Sequence, residues 1–349
     1  MTEAGPPTRL ESALRDYYSD LEPGTGPGQR WKDYALSADA RGAALIETLT
    51  NVMPDLQGRR HLDIGCGYGG VCVAAAEAGA TTIGIEIDER LLRLAELNQV
   101  DRPDLDLRFY QMDALDWAQL SSLGTFDAIT ADNVIEHVAV PEQLVAHIAR
   151  LLKPGGVAYV TVPNAFSVGQ VKADCHFGLF AASLLDTWDA GEYLRTALGL
   201  PKYGVSAYFP FDVYAGFFAK EGLVTELLID DEFAEVDRRF LAGELAGLLP
   251  TLEETIDSGA VPDSLQGKLR WVVTEYVKRG EAALSAYGRA PAAARARLGR
   301  HLRRDYLSEV WYFMASDDPR ALRYKGTRGW ARLSSAARAR LHRLSGDKQ

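Results

Sequence analysis

Cysteine is scarce in this chain, with 3 in 349 residues, at Cys66, Cys72 and Cys175. So few thiols exclude a disulfide-built fold, no pair has metal-ligand spacing, and the usage fits a reducing compartment. Long apolar runs are missing as well, since no stretch approaches the roughly 18 uninterrupted apolar residues that cross a bilayer. Met1 to Pro7 has neither the basic nor the apolar part of an export signal, so a cytoplasmic protein is expected. Positive charge is in deficit: 38 Lys and Arg stand against 48 Asp and Glu, a net charge of −10. That balance argues against a broad phosphate-binding face, and so against DNA or RNA as substrate, and favours a small molecule. The C-terminal end departs from it, with Arg320, Arg323, Lys325, Arg328, Arg332, Arg338, Arg340 and Arg343 opposed by few acids. Such a run reads as a solvated helical face or as a site for an anionic partner.

What is present is a large apolar fraction, 47%, in a chain longer than one minimal α/β domain, which suggests a core domain with additions. The most informative stretch is His61-Leu62-Asp63-Ile64-Gly65-Cys66-Gly67-Tyr68-Gly69-Gly70. It reads as a strand, a glycine turn and the opening of a helix, where α/β proteins bind nucleotide-like cofactors. Gly65, Gly67 and Gly70 also fit the dinucleotide pattern, so the loop alone leaves a NAD-dependent oxidoreductase open. Asp63 begins to separate the two. A carboxylate just ahead of the loop repels a pyrophosphate, whereas S-adenosylmethionine (SAM) lacks phosphate and carries an ammonium and a sulfonium.

With its acid, apolar residue and alternating glycines, this motif resembles that of the class I SAM-dependent methyltransferases. Further segments match in order. Thr82 to Asp88 reads as a second strand, and Glu86 holds the position of the acid that in the family takes both ribose hydroxyls. Tyr110-Gln111-Met112-Asp113-Ala114 follows a third apolar strand, and Asp113 matches the acceptor for the adenine amino group. Phe126 to Asn133 resembles the fourth strand, and Leu152 to Gly156 with Val157 to Val162 the turn and fifth strand. The resemblance covers Gly58 to Pro163. It implies a Rossmann-like, seven-stranded, mostly parallel sheet with helices on both faces, and SAM as cofactor. By the same resemblance the cofactor contacts are Asp63, Gly65, Cys66, Gly67, Gly69, Glu86, Ile87, Met112, Asp113, Ala114, Asp132 and Asn133.

Outside that core, Leu10 to Tyr18 reads as a short helix and Pro23 to Gly28 as a loop. Ser37 is placed to cap the next helix, which runs through about Asn51. By the family resemblance residues 1–57 are expected to form a helical lid over the cofactor, with Trp31 and Tyr34 as its candidate residues or as plain packing, followed by the core at 58–163. Leu91, Leu94, Ala95 and Leu97 mark the buried side of one core helix, and Leu144, Ile148, Leu151 and Leu152 that of another. Residues 164–230 are expected to hold the helix of Val213 to Glu221, a sixth strand, Leu223 to Ile229, and, as the resemblance implies, the substrate cover. Residues 231–305 read as a helical insertion, with apolar faces at Leu241, Leu245, Leu248, Leu249 and Leu252 and at Leu269, Val272, Val273, Tyr276 and Val277. The insertion serves as packing, as a substrate cap or as the arm of a homodimer. Residues 306–349 hold the last, antiparallel strand, Glu309 to Ala315, and the basic tail.

Methyl transfer from a sulfonium is in-line displacement, so the cofactor brings the electrophile and the protein supplies alignment, water exclusion and proton handling. A hydroxyl acceptor also needs a base. Asn133-Val134-Ile135-Glu136-His137-Val138 directly follows the fourth strand, and His137, titrating near neutrality, is the first candidate. The pattern resembles small-molecule O-methyltransferases of the ubiquinone-pathway group, where it contributes to a divalent-metal site with a further Glu three residues earlier. Asn133 stands at that position, so no obligatory metal is expected. Asp174-Cys175-His176-Phe177 in the cover offers His176 as a second candidate base with Asp174 to orient it. Tyr203, Tyr208, Phe209, Phe211 and Tyr214 shape either an acceptor pocket or the cover's own core. The expected function is O-methylation of a small acceptor such as a sugar, polyketide or quinone-like intermediate. N- or C-methylation uses the same cofactor motifs, and a silent SAM-binding partner protein is the reading from another class.

Overall fold

The computed structural model describes residues 8–19, 26–229 and 232–323. Of the basic tail, Arg320 and Arg323 fall inside this range, and Lys325 through Arg343 lie outside the described residues.

Three helices precede the sheet: α1 (Arg9–Tyr17), α2 (Gly26–Leu36) and α3 (Ala38–Thr50). Helix α2 occupies ground that glycine and proline led the sequence reading to assign partly to a loop. Pro27 is tolerated because it sits in the first turn, where an N–H has no intrahelical partner. Only Ser37 separates α2 from α3. The expected cap is therefore not made: Ser37 has φ −91° and ψ 5° and bonds no α3 amide. Its hydroxyl donates back to the Tyr34 carbonyl at 2.9 Å.

Strand and helix then alternate through β1 (Arg60–Ile64), α4 (Gly70–Glu77), β2 (Thr81–Glu86), α5 (Glu89–Val100), β3 (Leu107–Gln111), the short α6 (Trp117–Leu120), β4 (Phe126–Asp132), α7 (Pro141–Leu151) and β5 (Leu152–Pro163). The chain continues through α8 (Val168–Lys172), α9 (Thr187–Leu198), α10 (Phe211–Lys220), β6 (Val224–Leu227), α11 (Glu235–Asp257), α12 (Asp263–Arg289), α13 (Ala292–Leu302) and β7 (Val310–Ser316). The seven strands lie in the order β3-β2-β1-β4-β5-β7-β6. The pairings among β1 to β5 are parallel, and β7 runs antiparallel to both β5 and β6. This is the expected Rossmann-like sheet. Its strand order reverses between β1 and β4, so their carboxyl ends, Ile64 and Asp132, flank the crevice where such sheets bind ligands.

Alternation along the strands feeds two cores. Ile129, Val160 and Val162 pack with Leu144, Ile148, Tyr214 and Phe218 on one face, while Ala128, Val157 and Tyr159 pack with Leu45, Leu49, Val71 and Ala75 on the other. On α5, Leu94 and Ala95 are buried, as is Leu92, which the periodic reading left out; Leu91 and Leu97 are half-buried. Helices α3 and α4 touch backbone to backbone. A Cβ on Gly42 would lie 2.2 Å from the Gly70 carbonyl oxygen, and one on Gly70 would lie 2.3 Å from that of Ala38. Neither obstacle is a movable side chain. Gly42→Ala is therefore expected to destabilise the protein by about 1–3 kcal/mol, the usual cost of overpacking, read as a lower denaturant midpoint with an unchanged slope.

A further core belongs to the cover and the insertion together. Val171, Leu179, Tyr193 and Leu194 pack with Leu241, Leu245, Leu252, Leu269, Val273 and Val277. Leu249 does not join them and is 40% exposed, because 241, 245, 248, 252 and 256 complete the buried stripe and 249 lies a residue off it. Polar ties close the same seam: the Tyr276 hydroxyl donates to the Phe166 carbonyl at 2.8 Å, and Lys172 pairs with Glu244 at 2.8 Å. Asn164, just past β5, donates to the carbonyls of Arg304, Asp305 and Ser308. The insertion is thereby fastened over the carboxyl end of β5. Strand β6 is shorter than expected, and its two ends are left as loop.

Candidate functional site

The glycine loop after β1 is built for close backbone approach. Gly65 and Gly69 have φ of +67° and +80°, and a Cβ on them would meet Val134 at 2.6 Å and Phe109 at 2.8 Å. Glu86, at the end of β2 and 7% exposed, ties this loop to the next. One carboxylate oxygen accepts from Gly67 N–H at 3.0 Å, and the other from Ile87 N–H at 2.8 Å and Asp88 N–H at 3.0 Å. A carboxylate has about four lone-pair sites, so acceptor capacity remains for a ligand hydroxyl. Beyond it opens a recess of about 360 Å³ lined by Ile87, Gln111, Met112, Asp113 and Gln119. Ile87 is 62% exposed there, an apolar side chain suited to covering a flat ring. One Asp113 oxygen is held by Leu115 N–H at 2.8 Å. Gln111 and Gln119 were not singled out from the sequence, because exposed glutamines at element ends carry no pattern.

Asp63 lies lower than the sequence suggests. It is 2% exposed, with one oxygen accepting from the Thr130 hydroxyl at 2.6 Å and the other from the Cys72 thiol at 3.4 Å. It is therefore a support beneath the loop, bonded to β4 and α4. Burial lifts its carboxyl to about 7, with Asp132 and Glu86 adding to the rise and the Thr130 and Cys72 bonds opposing it. A folded value above the unfolded one of about 3.9 means that the folded protein keeps a proton the unfolded chain releases. This contribution is full below about pH 4 and lost as pH rises through about 7. Ligand-free Tm is expected to fall between about pH 5 and pH 8, and Asp63→Asn to flatten part of that fall. An unchanged slope in the variant assigns the effect elsewhere.

At the end of β4, Asp132 accepts from the Thr161 hydroxyl at 2.5 Å and faces the Arg41 guanidinium at 3.4 Å. Arg41 also stacks on Tyr34, 3.3 Å above the ring centre, so α2 and α3 close against the strand end. Asn133 has φ +56°, uncommon outside glycine and a form of backbone strain that clusters at functional sites. Its carboxamide donates to Asp132 and to the Tyr34 hydroxyl, and no bond joins it to Glu136 or His137. The carboxylate pair that the family resemblance suggests for a metal is thus not reproduced.

The structure does bring together the two histidines read from the sequence. His137 Nε2 and His176 Nε2 lie 3.3 Å apart, although 39 positions separate them. His137 Nδ1 donates to the Gly204 carbonyl at 2.9 Å, which leaves its Nε2 as the lone-pair nitrogen. His176 Nδ1 faces the Tyr208 hydroxyl at 3.1 Å and Cys175 Sγ at 3.3 Å. Burial lowers both imidazoles, His176 to about 3 with His137 adding to the shift. Both rings are neutral at physiological pH. Asp174 does not orient the His176 ring as expected; its carboxylate accepts from the backbone N–H groups of His176, Phe177 and Leu179. It shapes the loop instead. Trp31 of α2 donates its indole N–H to the His176 carbonyl at 3.0 Å, so the N-terminal segment touches the cover as well as the cofactor side.

Glu136 belongs to the Glu-His-Val pattern read from the sequence but was not named as a catalytic or cofactor-binding residue. It is fully buried, and apart from its own backbone amide neither carboxylate oxygen meets a hydrogen-bond partner. One oxygen lies 3.7 Å from His137 Nε2. Burial first and Asp132 second lift its carboxyl to about 8. Of the aromatic residues, Tyr208 reaches the histidines and Tyr203 stacks on Phe177. Phe211 and Tyr214 pack instead on Trp311 of the sheet.

A family model described as a methyltransferase domain matches residues 37–215, just over half of the 349. The ubiquinone biosynthesis O-methyltransferase of Paracidovorax citrulli is 37% identical over 130 residues, 36% of this chain and 53% of that protein. The protein of the same name from Methylococcus capsulatus is 38% identical over 109 residues, 31% and 45%. The chain thus spans about half the length of the curated relatives it matches. Among solved structures, an S-adenosylmethionine dependent methyltransferase from Mesorhizobium loti is 16% identical, with a TM-score of 0.43, covering 78% of this chain and 97% of that one.

Proposed function

Since the chain belongs to the methyltransferase-domain family, we propose that it transfers a methyl group from SAM to an oxygen of a small-molecule acceptor. The observation that carries this reading is the pairing, at one rim of the sheet, of a cofactor-shaped rim with a neutral histidine pair. The rim fits the donor: a glycine loop that lets backbone approach, Glu86 for the ribose, Ile87 beside a recess for the adenine and Asp113 at its edge. When bound, SAM supplies an electrophilic methyl carbon. This chain's residues align the acceptor, exclude water under the cover, and take the proton that the attacking hydroxyl must lose.

His137 Nε2 is the atom assigned to receive that proton. Its ring is held by the Gly204 carbonyl, and a Glu136 carboxyl oxygen lies 3.7 Å from its Nε2. His176 borders the same space from the cover, and Tyr208 carries the aromatic wall to it. Oxygen is the favoured acceptor atom because a neutral base is placed here and because the relatives named above are O-methyltransferases. A cyclic, partly apolar hydroxyl compound fits a wall made of Tyr208, His176 and Phe177.

The reading is tested by calorimetry with SAM, S-adenosylhomocysteine and NAD, followed by transfer of labelled methyl to a panel of phenols, catechols and sugars. Micromolar binding of the first two, none of NAD, and label on an acceptor oxygen are expected. Binding of NAD without binding of SAM overturns it.

A further inference from the structure

We propose that Asp63 makes the donor site discriminate by charge between SAM and its demethylated product, being ionised beneath the sulfonium donor and proton-bearing when the product occupies the site. The inference rests on the reading of the chain as a SAM-dependent enzyme, and adds to it a residue that separates substrate from product. It starts from an imbalance among three acids, Asp63, Glu86 and Asp132, at the carboxyl ends of the adjacent strands β1, β2 and β4. Glu86 accepts from three backbone N–H groups, and Asp132 faces the Arg41 guanidinium at 3.4 Å. Asp63, the most deeply buried of the three, accepts instead from a hydroxyl and a thiol, and a thiol is a weak donor. Glu86 and Asp113 are assigned to ribose and adenine, which substrate and product share. Methyl transfer changes only the sulfur: its S–CH₃ bond breaks with the electron pair left behind, and the ligand loses one positive charge.

The groups around this carboxyl leave its charge to the ligand. On its own strand, His61 presents Nε2 to the Thr130 hydroxyl at 2.9 Å, while Nδ1 of the same buried ring has no partner. Burial lowers that imidazole to about 3, so it carries no positive charge near neutrality. From β4 come the Thr130 hydroxyl, 2.6 Å away, and the Asp132 carboxylate; from β2 comes Glu86. Helix α4 adds the Cys72 thiol, and the glycine loop adds the Cys66 thiol hydrogen-bonded to it. These neighbours are neutral or negative, and a carboxylate taken out of water among them is costly. The field of Thr130 and Cys72 opposes the rise to about 7 without cancelling it. A cation held by the loop directly above supplies the missing opposite charge, and such a charge within a few ångströms lowers a carboxyl by about one pH unit or more. The product, which has lost the sulfonium charge, lowers it less.

The test is calorimetric titration of the full chain with SAM and with S-adenosylhomocysteine at pH 6, 7 and 8, in buffers of differing ionisation heat. This reads affinity and the protons exchanged together. An acid whose proton is displaced by the ligand binds that ligand more tightly as pH rises. The SAM Kd is therefore expected to fall by about five- to tenfold from pH 6 to pH 8, with about half a proton or more released at pH 6. The product's Kd should change by less than about twofold. The amine of each ligand titrates near 8, as does Glu136 at about 8, so the assignment is read from Asp63→Asn. That variant should bind SAM about tenfold or more weakly at pH 8 and the product within about twofold of the wild type, and should lose the pH-dependent difference between them. Thr130→Val, which removes a hydroxyl favouring the ionised form, should move the midpoint of the SAM profile to higher pH, and it serves if the Asn variant does not fold. An affinity ratio of SAM to product constant within about twofold from pH 6 to pH 8, or a pH dependence kept in Asp63→Asn, overturns the inference and leaves methyl transfer standing. Absence of SAM binding at every pH overturns the proposed function and this inference with it.

Discussion

Glutamine at His137 is expected to lower kcat for methyl transfer by about 10²–10⁴-fold, the usual worth of a positioned base, while SAM affinity stays within about twofold. The hydrogen bonds of the His137 side chain run to Gly204 and His176, away from the glycine loop's own backbone bonds to Glu86. The proposed role of His137 is thus in the chemistry and not in holding the donor. His176→Gln is expected to act in the same direction, and the double variant to lose little more than the worse single one, because residues that act as a unit are not additive. Single-turnover rates separate the chemical step from product release. A His137→Gln enzyme with kcat within about threefold of the wild type would remove the base assignment.

The second large effect is expected at Glu86. Hydrogen bonds to a charged group are worth about 1.5–3 kcal/mol each, and in the proposed binding mode two ribose hydroxyls meet this carboxylate. Glu86→Ala also releases the Gly67, Ile87 and Asp88 amides that the carboxylate now holds, so the loop loses its tie to the end of β2. A loss of about 3–5 kcal/mol corresponds to a SAM Kd raised by about 10²–10³-fold or more. Glu86→Gln keeps the shape and one acceptor and should fall between. The measurement is calorimetric titration with SAM and S-adenosylhomocysteine at fixed salt. A Kd for Glu86→Ala within about threefold of the wild type would show that the ribose is held elsewhere.

The arrangement of strand ends was legible from residues alone because its elements are local: each motif is a strand end followed by its own loop, and the crossover rule places those ends side by side. Gly65, Glu86, Asp113 and Asp132 therefore meet at one rim wherever the alternation holds. The burial of Asp63 was not legible, since the acid precedes the loop in sequence but depends on Thr130 and Cys72, from β4 and α4, for its surroundings. Helix α2 was partly hidden by glycine and proline at its first turn, where their helix-breaking effect is smallest. Leu249 was misplaced for a related reason: apolar residues one position apart fit the same loose pattern until a real partner surface chooses between them.

Strand alternation, the glycine loop and the acids at strand ends were determined by the sequence by itself, because periodicity and turn chemistry act over a few residues. What the tertiary structure decided is the meeting of His137 with His176, the isolation of Glu136 beside them, and the packing of the insertion against the cover. Those depend on where a 39-residue excursion returns and on which apolar faces find each other. Long-range closure is settled by burial summed over the whole chain, and no local motif encodes it.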